Sequence, residues 1–154
     1  MRRSEMGIGD LILESLTIFG LIFYLGTQMY YRSIYPISAV TMVYHFLPIL
    51  LLYAGMLVLQ FHPEFLNGRG SEPVVGKIRI YAVRMVRICK FLIVYGITVP
   101  SVADAVGIGI NEAYSLIVML CILAVIAYYI FRIYQYNREE DKKKLMEGRG
   151  DYNG

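Results

Sequence analysis

The chain has 154 residues, of which 57% are hydrophobic and 18% are charged, and its formal net charge is +3 at pH 7. A soluble domain is about half apolar and about a quarter charged, so this composition argues against a water-soluble globular protein. Nucleic-acid binding calls for a strongly basic surface, and so small a net charge predicts that no nucleic acid is a partner.

Charged residues are absent from three long stretches, residues 33–63, 91–103 and 113–131. A helix needs about 20 mainly apolar residues to cross a bilayer, and such runs are rare in soluble proteins. The sequence therefore predicts an all-α protein, an integral membrane four-helix bundle within residues 1–136. The four spans are predicted over about residues 11–31, 37–61, 76–99 and 112–134. The polar residues 137–154 are expected to form a flexible tail.

The first span carries one carboxylate, Glu14, about one turn inside the apolar run. A buried carboxylate is costly alone, and Arg87 or Lys90 of the third span is predicted to lie at the same depth. Two hypotheses stay open for Glu14. It forms an ion pair with one of these cations, or it faces water among the lipid headgroups.

The second span contains His45, an ionisable side chain well inside an uncharged run, and Pro48 follows three residues later. Proline opens the helical hydrogen-bond ladder, and polar side chains often satisfy the freed carbonyl. We predict that His45 forms a hydrogen bond to a neighbouring helix, with Gln28 or Thr27 as its partner. A proton relay and a ligand contact are the alternatives, although one His without a carboxylate makes a poor relay.

The third span begins with five cations that we call the basic stripe, Lys77, Arg79, Arg84, Arg87 and Lys90. On a helix with about 100° per residue they fall within an arc of about 160°. The last three have the spacing of a voltage-sensing helix, but sensing needs acidic partners at several depths, and the second span has no carboxylate. Long cationic side chains reach back to headgroups, so the stripe is predicted to be an anchor for anionic lipid headgroups. A voltage sensor and a partner-binding surface are the alternatives.

Lysine and arginine also set the predicted orientation. They are concentrated before the first span, between the second and third spans and after the fourth, whereas the other two connections contain Arg32 alone. Short cation-rich loops stay in the cytoplasm. We therefore predict a multi-pass protein of the cell (inner) membrane with both termini in the cytoplasm.

Four glycines lie within the spans, and we expect them to permit close helix packing: Gly20, Gly26, Gly55 and Gly96. The sequence contains no HExxH motif, no CxxC pair and no phosphate-binding GxxxxGK[ST] loop. We accordingly expect no enzymatic activity, no cofactor and no metal.

Residues 61–96, FHPEFLNGRGSEPVVGKIRIYAVRMVRICKFLIVYG, resemble a segment of a family of small bacterial membrane proteins of unknown function. That family includes immunity proteins that protect a producer from a secreted killing toxin. Its members leave a helix through a Pro-containing turn with a Phe-Asn-like pair, and a Tyr-bearing amphipathic stretch then starts the next span. Pro63, Phe65, Asn67 and Tyr81 take those places here. The family's Pro-x-His-Phe-type motif after the first span is replaced by YPISAVTMVYHF.

These observations predict a non-enzymatic accessory, immunity or sensory-type subunit. Its expected partners are the lipid bilayer with anionic headgroups and either a second copy or another membrane protein. The alternative is a small-solute or ion transporter or channel subunit that works as an oligomer. A transporter should show charge pairs within the membrane or broken helices near the midplane, and His45 and Pro48 are the sequence features that point to one.

Overall fold

The structure is a computed structural model that describes residues 7–66 and 76–150. Its four α-helices are long and apolar enough to span a membrane, and each begins within three residues of a predicted span, which confirms the all-α class. The helices are α1 (Ile8–Ile34), α2 (Ala39–Phe61), α3 (Gly76–Ala105) and α4 (Ala113–Gly150), with a short 3-10 helix at Pro63–Leu66.

Local signals explain where several helices begin and end. The backbone N–H of Gly7 donates a hydrogen bond to Oδ2 of Asp10 at 3.2 Å, which closes the first turn of α1. The hydroxyl of Ser38 accepts the backbone N–H of Thr41 at 3.2 Å and caps α2. After α3 the chain turns through Gly107, whose φ of +75° is a conformation that glycine adopts without steric cost.

Helix α3 is the centre of the bundle, because it packs extensively on α1, α4 and α2, whereas α1 and α2 touch over a small area. Helices α1 and α3 run in the same direction. The side-chain amide of Gln28 donates to Oγ of Ser101 at 2.7 Å where both helices end, and Glu14 meets Lys90 nearer their beginnings. We call the end where α1 and α3 begin the basic end and the other the opposite end. The buried apolar core lies between these two ends of the bundle and comprises Leu21, Tyr24, Ile49 and Val94.

Two of the four glycines lie at tight helix contacts. A Cβ on Gly20 would be 2.8 Å from Cε2 of Tyr95, and one on Gly96 would be 2.7 Å from Cγ1 of Val118. These glycines let α1 and α4 approach α3, as small residues do in membrane bundles. Gly26 and Gly55 have nothing within 4 Å of an added Cβ, so the packing role predicted for them is wrong within this chain.

Two helices run on past the predicted spans. Helix α3 continues through Pro100 to Ala105, because a proline removes one hydrogen bond without by itself ending a membrane helix. Helix α4 has 38 residues, and its uncharged part ends before Arg132. It is about 57 Å long, against about 30 Å for the hydrocarbon core of a bilayer. Residues 137–150 are thus helical, and their predicted flexibility stays a prediction.

Candidate functional site

Charged and polar side chains from three helices meet near the basic end of the bundle. Helix α1 contributes two carboxylates four residues apart, which therefore lie on the same face. Helix α3 contributes three cations from the basic stripe, and α2 contributes an amide and an aromatic ring. We call this group the charge cluster: Asp10 and Glu14 of α1, Tyr53 and Gln60 of α2, and Arg84, Arg87 and Lys90 of α3.

Lys90 is the deepest cation of the charge cluster and is 1% exposed. Its ammonium group donates a hydrogen bond to Oε1 of Glu14 and another to Oε1 of Gln60, the latter at 2.9 Å. It also lies 5.0 Å from the ring centroid of Tyr53, within range of a cation–π interaction. An uncompensated buried charge is strongly destabilising. These partners compensate the charge of Lys90 and connect α3 to both α1 and α2.

Arg87 lies one turn nearer the basic end and is 3% exposed. Its Nη1 is 3.6 Å from Oδ1 of Asp10, and its Nε is 3.9 Å from Oε2 of Glu14. Both distances exceed the hydrogen-bond range, and within the described residues neither Arg87 Nε nor Glu14 Oε2 has a hydrogen-bond partner. Electrostatic attraction to two carboxylates therefore compensates the charge of this guanidinium.

Arg84 forms the outer edge of the charge cluster. Its Nε is 3.5 Å from Oδ1 of Asp10, and its side chain is 44% exposed, compared with 11% for Asp10. Lys90 lies six positions after Arg84, so the cluster extends about 9 Å along α3. Three cations face two carboxylates, which leaves the cluster with a formal net charge of +1.

The two remaining cations of the basic stripe lie outside the charge cluster. Lys77 is exposed, with its Nζ 5.6 Å from the ring centroid of Tyr136. Arg79 lies near Glu64 of the 3-10 helix. The pKa of Glu64 is lowered first by a hydrogen bond from its own backbone N–H, then by His62, with smaller help from the charge of Arg79. The headgroup-anchor role of the stripe stays a prediction, but Arg87 and Lys90 are turned into the bundle.

The hydrogen bond predicted between His45 and Gln28 is not formed. Gln28 lies on the face of α1 that contacts α3 and donates to Ser101, and the hydroxyl of Thr27 donates to the carbonyl of Phe23 in its own helix. The imidazole of His45 is exposed on α2, and no polar contact to it occurs within the described residues. The hydroxyl of Tyr24 donates instead to the backbone carbonyl of His45 at 3.1 Å.

Three members of the charge cluster were not identified from the sequence, namely Asp10, Tyr53 and Gln60. Asp10 precedes Glu14 by four residues, so the helical period places both carboxylates on one face, and that signal was available. Gln60 and Tyr53 carry no such signal, because their role depends on how α2 is rotated against α3. Within the described residues, no three His, Cys, Asp or Glu side chains are placed to hold a metal ion together.

No protein-family model, curated protein or solved structure matches this chain. The resemblance to the family that includes toxin-immunity proteins therefore stays a prediction. Of the residues on which it depends, Pro63, Phe65 and Tyr81 lie in described helices, and Asn67 lies outside the described residues.

Proposed function

We propose that this chain is a non-enzymatic accessory subunit of immunity or sensory type, held in the inner membrane with both termini in the cytoplasm. The observation that supports this role best is the closed arrangement of the charge cluster. Glu14, Arg87 and Lys90 are directed toward one another and toward Asp10 and Gln60, so these ionisable groups hold helices together. A cluster of this kind suits a fixed bundle that acts through its surface.

The position of α4 also supports the proposal. Helix α4 packs extensively on α3 alone, and no residue of its most apolar window is fully buried within the chain. Leu116, Leu120 and Leu123 are each more than half exposed along this helix. In a bilayer such a face meets either lipid or another membrane helix. In an accessory subunit it would contact a helix of the partner protein.

Site-specific photo-crosslinking in native membranes tests the accessory role. A photoreactive residue at Leu120 is expected to give one discrete product with a different membrane protein. The same residue at Leu51 on the exposed face of α2 is the matched control, because Leu51 is also exposed, at 62%, but lies on another helix. The proposal would be contradicted if the residue at Leu120 crosslinked to lipid and to no protein. It would also be contradicted if both positions gave the same crosslinked products.

A transporter or channel subunit that works as an oligomer is the second candidate. The pair of Glu14 and Lys90 favours it, because ionisable side chains within membrane spans often mark ion or proton pathways. Vesicles that contain the purified protein should then show ion or solute flux, and Glu14→Gln should abolish it. The accessory proposal predicts that flux equals that of protein-free vesicles, so a flux that depends on Glu14 would replace it with the transporter.

A further inference from the structure

We propose that the basic end of the bundle holds the phosphate of one anionic phospholipid headgroup in a cavity between α1, α3 and α4. The cavity has a volume of about 280 Å³. Its walls are formed by Gly7 and by Asp10 and Leu13 of α1, Arg84 and Ile88 of α3, and Tyr129 of α4. The cavity is open on one side and would be one local site, unlike the diffuse attraction expected of the whole basic stripe.

The positive charge that this cavity presents comes from Arg84. The carboxylate of Asp10 lines it, but Asp10 is 11% exposed and lies within 3.6 Å of both Arg84 and Arg87. The side chain of Arg84 is 44% exposed, and Arg84 is the cation by which the charge cluster exceeds neutrality, because Arg87 and Lys90 are balanced by the two carboxylates. An approaching anion therefore meets the guanidinium of Arg84, which suits the oxygens of a phosphate group.

The space beside this guanidinium depends on a glycine. A Cβ on Gly7 would lie 3.9 Å from Nη2 of Arg84 and 3.6 Å from Oδ2 of Asp10. These are ordinary contact distances, so a Cβ fits there, but a side chain as large as leucine would add bulk beside the guanidinium at the wall of the cavity. The glycine thus keeps the guanidinium accessible.

The polarity of the cavity favours a phospholipid over a free phosphate ion. Its polar groups, Asp10 and Arg84, lie nearer the basic end, and the apolar side chains of Leu13 and Ile88 lie about one helical turn deeper. A phospholipid has the same order of polarity along its length, with a charged phosphate followed by apolar chains. Basic pockets between membrane helices are known to take anionic headgroups, whereas a free ion would gain nothing from Leu13 and Ile88.

Lipid retention by the purified full chain, measured by native mass spectrometry, tests the proposal. With dioleoylphosphatidylglycerol we expect one lipid retained per chain, and with dioleoylphosphatidylcholine none. Arg84→Gln should weaken retention by at least about tenfold, the effect expected when a charge-assisted hydrogen bond is lost. Gly7→Leu keeps every charge and should weaken retention similarly. Arg132→Gln removes one cation from α4 outside the cavity walls and should leave retention unchanged.

Four results would overturn the proposal. Equal losses from Arg84→Gln and Arg132→Gln would show diffuse attraction in place of a site, and equal retention of the two lipids would show that the phospholipid's net charge is irrelevant. Displacement of the lipid by inorganic phosphate at the same concentration would make the free ion the ligand. If Arg84→Gln lowers the melting temperature, Gly7→Leu decides, and full retention in that variant would exclude this cavity.

Discussion

Lys90 of α3 donates a hydrogen bond to Glu14 of α1, although 76 positions separate them in the sequence and Lys90 is 1% exposed. A lone charge costs about 2.5–3.5 kcal/mol at the centre of a membrane helix on insertion scales, and less toward the ends of the helix. The pair removes much of that cost for both helices at once, so α1 and α3 each depend on the other. A gating charge must exchange partners along the membrane field, and the closed set of partners around Lys90 argues against voltage sensing.

The contact between Gly20 and Tyr95 predicts a large cost for one added methyl group. An alanine Cβ at position 20 would meet the Tyr95 ring at 2.8 Å, and the ring is held by a hydrogen bond from its hydroxyl to the carbonyl of Leu16. Gly20→Ala should therefore lower the free energy of unfolding in detergent by about 1–3 kcal/mol. Gly26→Ala, with open space around its Cβ, is the control and should cause little change or a small gain. Equal effects of the two substitutions would contradict the packing of α1 against α3.

Tyr24 and His45 provide a second matched pair. Tyr24→Phe removes the hydroxyl that bonds to the His45 carbonyl and should cost about 1 kcal/mol of unfolding free energy, because Tyr24 is 5% exposed. His45→Leu changes an exposed ring and should leave stability nearly unchanged. Thermal or denaturant unfolding of both variants measures the difference. A larger loss from His45→Leu would mean that the ring is buried against another subunit.

The spans were predictable from the sequence because their cause is local. Removing an ion from water is so costly that a run such as 33–63, with no charged residue, marks a membrane helix whatever packs around it. The rotation of each helix has no such local cause. The arc that contains Arg84 also contains Lys90, yet one is 44% exposed and the other is buried, and that difference depends on Glu14 and Gln60 from other helices. The hydrogen-bond partner of His45 was predicted wrongly because it too depends on how α2 is rotated in the bundle.

The proposed orientation predicts opposite reactivity at two connections. In a chain with Cys89→Ala and Cys121→Ala, a cysteine at Val106 should react with a membrane-impermeant thiol reagent in intact cells, because this residue lies between α3 and α4 and is 65% exposed. A cysteine at Gly70, between α2 and α3, should react only after the cells are opened. Labelling of Gly70→Cys but not Val106→Cys in intact cells would reverse the assigned orientation.

The central claim is that the ion pair of Glu14 and Lys90 holds α1 and α3 together, and a double-mutant cycle in unfolding free energy tests it most directly. Glu14→Gln leaves the cations of the charge cluster with one carboxylate, so it should cost about 3–5 kcal/mol, and Lys90→Met should cost less because Arg87 still faces Glu14. Lys77→Met, at an exposed lysine of the same helix, is the control and should cost almost nothing. The double variant should be more stable than the sum of the single losses predicts, by about 1–3 kcal/mol. Strictly additive losses would show that the two side chains do not stabilise each other, and would contradict the account.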